Sequence, residues 1–401
     1  MTALAGIRSL EELELENQRA FIRVDYDVPA GGGELGGDRH VRASLPTIQR
    51  AIGAGARVVL AAERGHARGQ RNEELGLEPI AARLSELLGS DVYLPDDAVG
   101  DAARKVVQDL RPGQVCLLEN LGFHPEEEAA DEAFARRLAA YADVYVNDAP
   151  RSARSTSASV TVVPRLVRER GMGYLFRAEL EAYARLGAAT ERPFMAVLGG
   201  ARTARQLELF RSLLGRCDVI CVAGTLGNTF LAARGVRMQA SRLDKELLAR
   251  ARTLLSDARD RKVEVLLPHD LVVADNAQAR RGDIVAAAHV PDDGMALDVG
   301  PSTLLEWTAR LERAKTVLFK GPLGAVENAA FAGGTSSFAR ALAAAPAFGV
   351  VNGESTVRAV RAEGDEVVSK IGLVSTLGDT ALDLIEGRRL PGVEALRGGA
   401  T

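Results

Sequence analysis

The sequence is poor in cysteine and in aromatic residues, has no long unbroken apolar run, and carries little net charge. Its three cysteines, Cys116, Cys217 and Cys221, are too few and odd in number for a disulfide framework. Cys217 and Cys221 fall in an apparent strand, where four residues span about 13 Å, beyond the reach of a bridge. All three therefore read as buried thiols. The histidines, His40, His66, His124, His269 and His289, have no metal-ligand spacing among themselves or with the cysteines, and no structural zinc is expected. No segment reaches the roughly 18 apolar residues needed to span a bilayer. Met1 to Gln18 is acidic and polar where a secretory signal would be basic and then apolar. The cytoplasm is the expected location, with no membrane contact. A formal net charge of −4 lacks the clustered basic excess that nucleic-acid backbones require, so no nucleic-acid partner is expected.

What is present is the balance of a globular protein, 47% hydrophobic and 26% charged, over 401 residues. A single core rarely extends so far, and two domains of roughly 150 to 200 residues are expected. Short β-branched runs recur between polar or glycine-rich turns: Phe21 to Val24, Val58 to Leu60, Val115 to Leu118 and Val144 to Val146 in the first half. Met195 to Leu198, Val219 to Val222, Val263 to Leu267, Val317 to Phe319 and Phe348 to Val351 follow in the second. Helical patterns lie between them. In one, Ile80, Leu84, Leu87 and Leu88 share a face, Pro79 suits an early helical position and Gly89 a stop. Strand then helix, repeated, predicts an α/β chain of two doubly wound parallel-sheet (Rossmann-like) domains. A helix over Tyr174 to Leu186 joins them as a hinge. The expected division is 1–173 completed by 376–401, a linker over 174–188, and 189–375. The Gly31 to Gly37 run reads as a hairpin tip and not as a phosphate loop, since no helical pattern follows it directly.

Open parallel sheets place ligands at the carboxyl ends of their strands. The segments that follow are Asp25 to Asp27, Glu63 to His66, Glu119 to His124, Asn147 to Arg151, Gly199 to Arg202, Ala223 to Thr225, Lys320 to Gly324 and Asn352 to Ser355, all glycine-rich or charged. Two facing sites across a cleft are the expectation.

In order along the chain stand RVDYDVP from Arg23, VRASLPTI from Val41, LLENLGFHPEEE from Leu117, ADVYVNDA from Ala142, LGGA from Leu198, LLPHDLVVAD from Leu266, LDVGP from Leu297, KGPLGAVE from Lys320 and LPGVEAL from Leu390. Over nearly its whole length the sequence resembles the phosphoglycerate kinases. The resemblance implies an N-terminal domain for 3-phosphoglycerate, a C-terminal domain for magnesium with ATP or ADP, a hinge that closes the two, and a monomer. The implied reaction moves a phosphoryl group between ATP and the carboxylate of 3-phosphoglycerate. It needs little covalent help and depends on cations and amide donors around the transferring group.

Against that pattern the chain departs at charged positions. His40 stands where the family has an arginine before I-x-A, Glu63 and His66 stand for the histidine and arginine of S-H-L-G-R-P, and Gly122 stands for the arginine of E-N-x-R-F-H. Arg154 and Ser155 stand for the histidine and arginine that follow N-D-A. Asp25 and Asp27 keep the acidic turn that would hold glycerate hydroxyls. On the nucleotide side Gly199 and Gly200 remain, Arg202 and Gln206 replace two lysines, and Lys320 replaces the asparagine of N-G-P-M-G. The G-G-G-D-S turn reads Val351, Asn352, Gly353, Glu354, Ser355, with Glu354 the remaining magnesium ligand. The S-T-G-G-G-A-S turn reads Ser375 to Ala381, and Glu327, the ribose contact the resemblance implies, is in place.

Removing one preorganised donor to developing charge costs roughly a hundredfold to a thousandfold in rate. The expectation is therefore a family scaffold whose turnover is lost or much reduced, a pseudoenzyme that holds a small anionic ligand or a nucleotide. Two alternatives stand beside it: an active divergent phosphoglycerate kinase, and a phosphotransferase for another carboxylate. Arg39, Arg42, Arg64, Arg68, Arg151 and Arg154 lie one to a few residues from the vacated positions and could rebuild the pocket, or could form ordinary solvated surface. Glu126 to Glu128 reads as a solvated charge run.

Overall fold

The computed structural model describes residues 4–26, 38–188 and 191–397. The first sheet contains β1 (Arg8–Ser9), β2 (Arg19–Val24), β3 (Arg57–Ala61), β4 (Val92–Tyr93), β5 (Val115–Leu117), β6 (Val144–Asp148) and β7 (Glu169–Met172), in the order β1-β7-β6-β2-β3-β5-β4. Every pairing is parallel. The second sheet draws on β8 (Phe194–Leu198), β9 (Val219–Val222), β10 (Glu264–Leu266), β14 (Thr316–Lys320), β15 (Phe348–Asn352) and β16 (Leu373–Val374), ordered β10-β9-β8-β14-β15-β16 and also all parallel. The strands β11 (Asp270–Ala274), β12 (Asp283–Ala286) and β13 (Met295–Val299) form a separate antiparallel sheet that the sequence patterning did not foresee.

The central strands of each parallel sheet are buried on both faces, so they read as continuous apolar runs and not as alternations. In β8, Phe194, Ala196 and Leu198 join one core, and Met195 and Val197 the other. In β2, Ala20, Ile22 and Val24 pack with Val41, Ile48 and Ala51 of the helix Arg39–Gly53 and with Ile80 and Leu84 of the helix Glu78–Leu88. That second helix carries Pro79 in its first turn and ends at Gly89 with φ 66°, as its sequence predicts. The helix Tyr174–Ala188 buries Phe176, Leu180, Tyr183 and Leu186.

Contacts divide the chain into a unit ending at Glu181 and resumed from Arg388, and a unit from Ala182 to Gly387. The return to the first unit thus lies later than position 376. Leu377, Ala381, Leu382 and Ile385 are the reason, since all four are buried in the second unit's core. Cys217 precedes β9 instead of lying in it, and all three cysteines are free and buried. The Gly31 to Gly37 segment and Asp27 lie outside the described residues. No helix among the described residues is long and apolar enough to cross a membrane.

Strand order locates the sites. From β2 the first sheet grows through β3 in one direction and later adds β6 on β2's other side, which makes the β2/β6 boundary the point where the winding reverses. In the second sheet the same reversal falls between β8 and β14. A crevice opens at the carboxyl ends of strands at such a point, because the flanking connections leave on opposite faces.

Candidate active site

At the carboxyl end of β2, Asp25 is buried and its carboxylate accepts hydrogen bonds from the Arg151 backbone N–H (2.6 Å) and the Ser152 hydroxyl. Arg151 and Ser152 begin the single turn Arg151–Arg154 that follows β6, so the β2/β6 boundary ties the two loops together. Burial pushes the Asp25 carboxyl above its ordinary range, and the neighbouring Arg23 guanidinium pulls it partly back.

His40, in the first turn of the helix Arg39–Gly53, is buried beside this pair. Its Nε2 faces two guanidinium groups, with Arg39 Nε at 3.1 Å and Arg151 Nη1 at 3.2 Å. Two N–H donors directed at one ring nitrogen make that nitrogen the acceptor, which places the imidazole proton on Nδ1. The position vacated by one arginine is thereby flanked by two.

Arg23 is the residue that reading the sequence by its substitutions missed. It lies on β2 on the face opposite Ile22 and Val24, and only 1% of it is exposed. Its Nε donates to the Ser159 hydroxyl (2.9 Å), its Nη1 to the Val24 carbonyl, and its Nη2 to Glu63 Oε1 (2.7 Å). Burial works against its charge, and the Glu63, Asp25 and Glu127 carboxylates outweigh that, so its pKa lies above the ordinary arginine value. Glu127 corrects the expectation of a solvated charge run. It is buried, accepts from the Ser159 N–H and hydroxyl, and burial raises its pKa. A buried carboxylate persists only with such partners. The position matching the family's S-H-L-G-R-P histidine thus holds a carboxylate paired to a buried arginine.

The other first-unit positions do not join this cluster by any hydrogen bond among the described residues. His66 and Arg154 are exposed, and the Ser155 hydroxyl accepts from the Ser157 N–H at 3.1 Å. Gly122 donates its N–H to Asn120 Oδ1 (2.9 Å) in the turn that also holds Arg64. Arg64 is buried with Nη1 on the Gly76 carbonyl at 2.6 Å, a structural commitment, and Arg68 is exposed. Of the six nearby arginines, Arg39 and Arg151 are the two drawn to a vacated position.

In the second unit, the carboxyl ends of β8 and β14 press together. A Cβ on Gly199 would stand 2.1 Å from the Pro322 carbonyl oxygen, so only glycine fits there. Gly200, with φ 84°, donates its N–H to that same carbonyl at 2.9 Å. Arg202 caps the start of the helix Thr203–Leu213, with its side chain largely in solvent and Nη1 3.1 Å from Asp379 Oδ2. Gln206 differs from the expectation of a ligand contact. It is buried, and its Nε2 is committed to the Gly199 carbonyl (2.8 Å), since a neutral amide can turn inward where a lysine could not leave its charge.

Lys320 ends β14 and is buried. Its Nζ bonds Asn352 Oδ1 and lies 4.0 Å from Asp379 Oδ1. Burial lowers its pKa to about 8, Asp379 opposes the shift, and Arg205 and Arg202 add to it. Asn352 donates in turn to the Tyr183 hydroxyl (2.9 Å) and the Ser375 hydroxyl (3.2 Å). Gly353, with φ 95°, turns the chain from β15 into the helix Glu354–Arg361, whose first residues are the exposed Glu354 and the half-buried Ser355. Glu327 is exposed, and no hydrogen bond among the described residues links it to Lys320. No group of three or more His, Cys, Asp or Glu placed to hold a metal occurs among the described residues. A single exposed carboxylate at a helix start, Glu354, suits magnesium that arrives with phosphates and keeps several waters, not a cage of protein ligands.

A model of the phosphoglycerate kinase family matches residues 10–388. A phosphoglycerate kinase of Anaeromyxobacter dehalogenans is 44% identical over 97% of this chain and 99% of its own length, and that of Moorella thermoacetica is 42% identical over 97% and 98%. Among solved structures, phosphoglycerate kinase from Coxiella burnetii is similar with a TM-score of 0.86 and 30% identity, covering 97% of this chain and 98% of its own.

Proposed function

The chain belongs to the phosphoglycerate kinase family, and from that premise we propose that it is an active though divergent member, with an acid-side anion site built from displaced arginines. The observation that carries this reading is the convergence of the Arg39 and Arg151 guanidinium groups on His40 beside Asp25. The expectation of lost activity rested on substitutions counted position by position. Cations supplied from one residue before and from the loop after β6 restore positive charge to the same switch point.

In this reading Asp25 receives a glycerate hydroxyl, and Arg39 and Arg151 bind the phosphate of 3-phosphoglycerate. Arginine suits that task because its planar fork donates two parallel hydrogen bonds. The nucleotide phosphates lie along the Gly199–Gly200 turn, with Lys320, Arg202 and the N–H groups at the start of the helix Glu354–Arg361 as donors. Glu354 holds the magnesium ion, which when bound neutralises charge on the transferring group. Gln206 supports the glycine turn and does not touch the ligand.

A second reading, much slower turnover, is favoured by Glu63, whose carboxylate already neutralises Arg23, and by Gly122, which offers no side chain. Formation of ATP from 1,3-bisphosphoglycerate and magnesium-ADP by purified protein decides between them. Sustained turnover supports the first reading. Absence of turnover while magnesium-ADP still binds overturns it in favour of the second.

A further inference from the structure

Away from both switch points, the edge of the first sheet carries a cavity of about 840 Å³ lined by Gly6, Arg8, Arg165, Arg168, Glu169, Arg170, Glu394, Ala395, Leu396 and Arg397. None of these residues belongs to the candidate active site. Five arginines face two glutamates, and the glutamates are spent on two of the five: Arg8 Nη1 lies 2.6 Å from Glu169 Oε2, and Arg397 Nε lies 3.2 Å from Glu394 Oε1. Among the described residues no carboxylate pairs with Arg165, Arg168 or Arg170. Arg170 donates Nη1 to the Val167 carbonyl and Nη2 to the Arg397 carbonyl, both at 3.1 Å. Those bonds fix the guanidinium plane, yet its buried Nε has no partner. Burial lowers the Arg170 pKa, and the Arg8 and Arg165 charges lower it further, so like charge has gathered around Arg170 while both glutamates are taken by Arg8 and Arg397.

We infer that this cavity binds a small phosphate-bearing anion with two or more negative charges, held by Arg165, Arg168 and Arg170 against the floor made by Ala395 and Leu396. Guanidinium groups in place of ammonium groups favour the planar, two-oxygen recognition that phosphate allows. The size of the cavity admits more than one phosphate group. The Arg170 to Arg397 link couples the ligand to the segment that returns to the first unit at Arg388, so occupancy fastens that segment.

The test is calorimetric titration of inorganic tripolyphosphate at low ionic strength into the full chain carrying Arg39→Ala, Arg151→Ala, Arg202→Ala and Lys320→Met, which removes the cationic side chains assigned to both candidate active-site halves. One tripolyphosphate per chain is expected to bind. Adding Arg165→Ala and Arg168→Ala, two exposed positions, is expected to weaken it by about tenfold or more, as loss of charge-assisted bonds requires. In the unaltered chain, tripolyphosphate is expected to protect Arg165 and Arg168 from phenylglyoxal. Failure of the background protein to bind, indifference to the added pair, absence of protection, or binding of an acidic peptide in place of tripolyphosphate would each overturn the inference.

Discussion

The two switch points of this chain have met the same problem, replaced ligand contacts, in different ways. In the first unit the residues at two of the departing positions are met by arginines from elsewhere in the fold: Arg39 and Arg151 turn onto His40, and the carboxylate Glu63 is taken up by buried Arg23. In the second unit the replacements answer one another. Lys320 stands where the family has an asparagine, Asp379 where it has a glycine, and the two lie 4.0 Å apart with Arg202 on the same carboxylate. The first arrangement brings two guanidinium groups onto one ring nitrogen, and the second gathers two cations around one carboxylate. Under the proposed function, a substitution at a motif position has to be read together with the residues placed beside it.

The comparison breaks most sharply at Arg151. Replacing it with alanine keeps the backbone N–H that holds Asp25 and removes the guanidinium. A drop in turnover of roughly a hundredfold is expected, the scale of one lost preorganised donor, measured in the ATP-forming assay. Glu63→Gln is the next largest effect. It leaves the buried Arg23 with Asp25 and Glu127 as its remaining carboxylates and, because the Glu63 side chain is 38% exposed, is expected to cost about 1 kcal/mol in urea unfolding.

Lys320 sharpens the contrast through pH. Its folded pKa, about 8, lies below the ordinary lysine value because burial disfavours the charge. The unfolded chain therefore holds more protons than the folded one between about pH 8 and the ordinary value near 10.5. Stability from this group rises with pH across that window, and its penalty is fully present below it. Lys320→Met is expected to flatten that rise, read from urea midpoints at neutral pH and near pH 10. Nucleotide binding by the unaltered chain is expected to weaken as pH passes through about 8, since the ammonium is lost. The smallest effect is assigned to Asp379→Asn, which releases Arg202 and Lys320 from an internal carboxylate. Tighter magnesium-ADP binding by roughly threefold is expected, the scale of a largely exposed ion pair.

Much of this architecture was legible in the sequence. The apolar runs that became β2, β3, β5, β6, β8, β9, β10, β14 and β15 stand out because all but the edge strand β10 are buried on both faces, and most of the loops after them carry the candidate site residues. The small antiparallel sheet was not legible. The β12 strand is largely exposed and has no apolar alternation, and only Leu267, Pro268 and His269 separate β10 from β11, too short a link for the helix that a strand-then-helix pattern expects. Leu377 to Ile385 falls in the second unit, where the expected division puts it in the first, because the apolar face of a short helix such as Thr380–Ile385 does not name the core it enters. Within the site, motif comparison found the vacated positions but not Arg23 or Glu127. A buried charge pair and a solvated one have the same composition, and only the Ser159 bridge between them separates the two cases.

The central claim is that Arg39 and Arg151 supply the phosphate-binding charge lost at His40. Calorimetric titration of 3-phosphoglycerate into the unaltered chain and into Arg39→Ala/Arg151→Ala tests it most directly. Saturable binding in the first, falling by at least roughly a hundredfold in the second, is the predicted result; equal binding by both, or none by the unaltered chain, would contradict it.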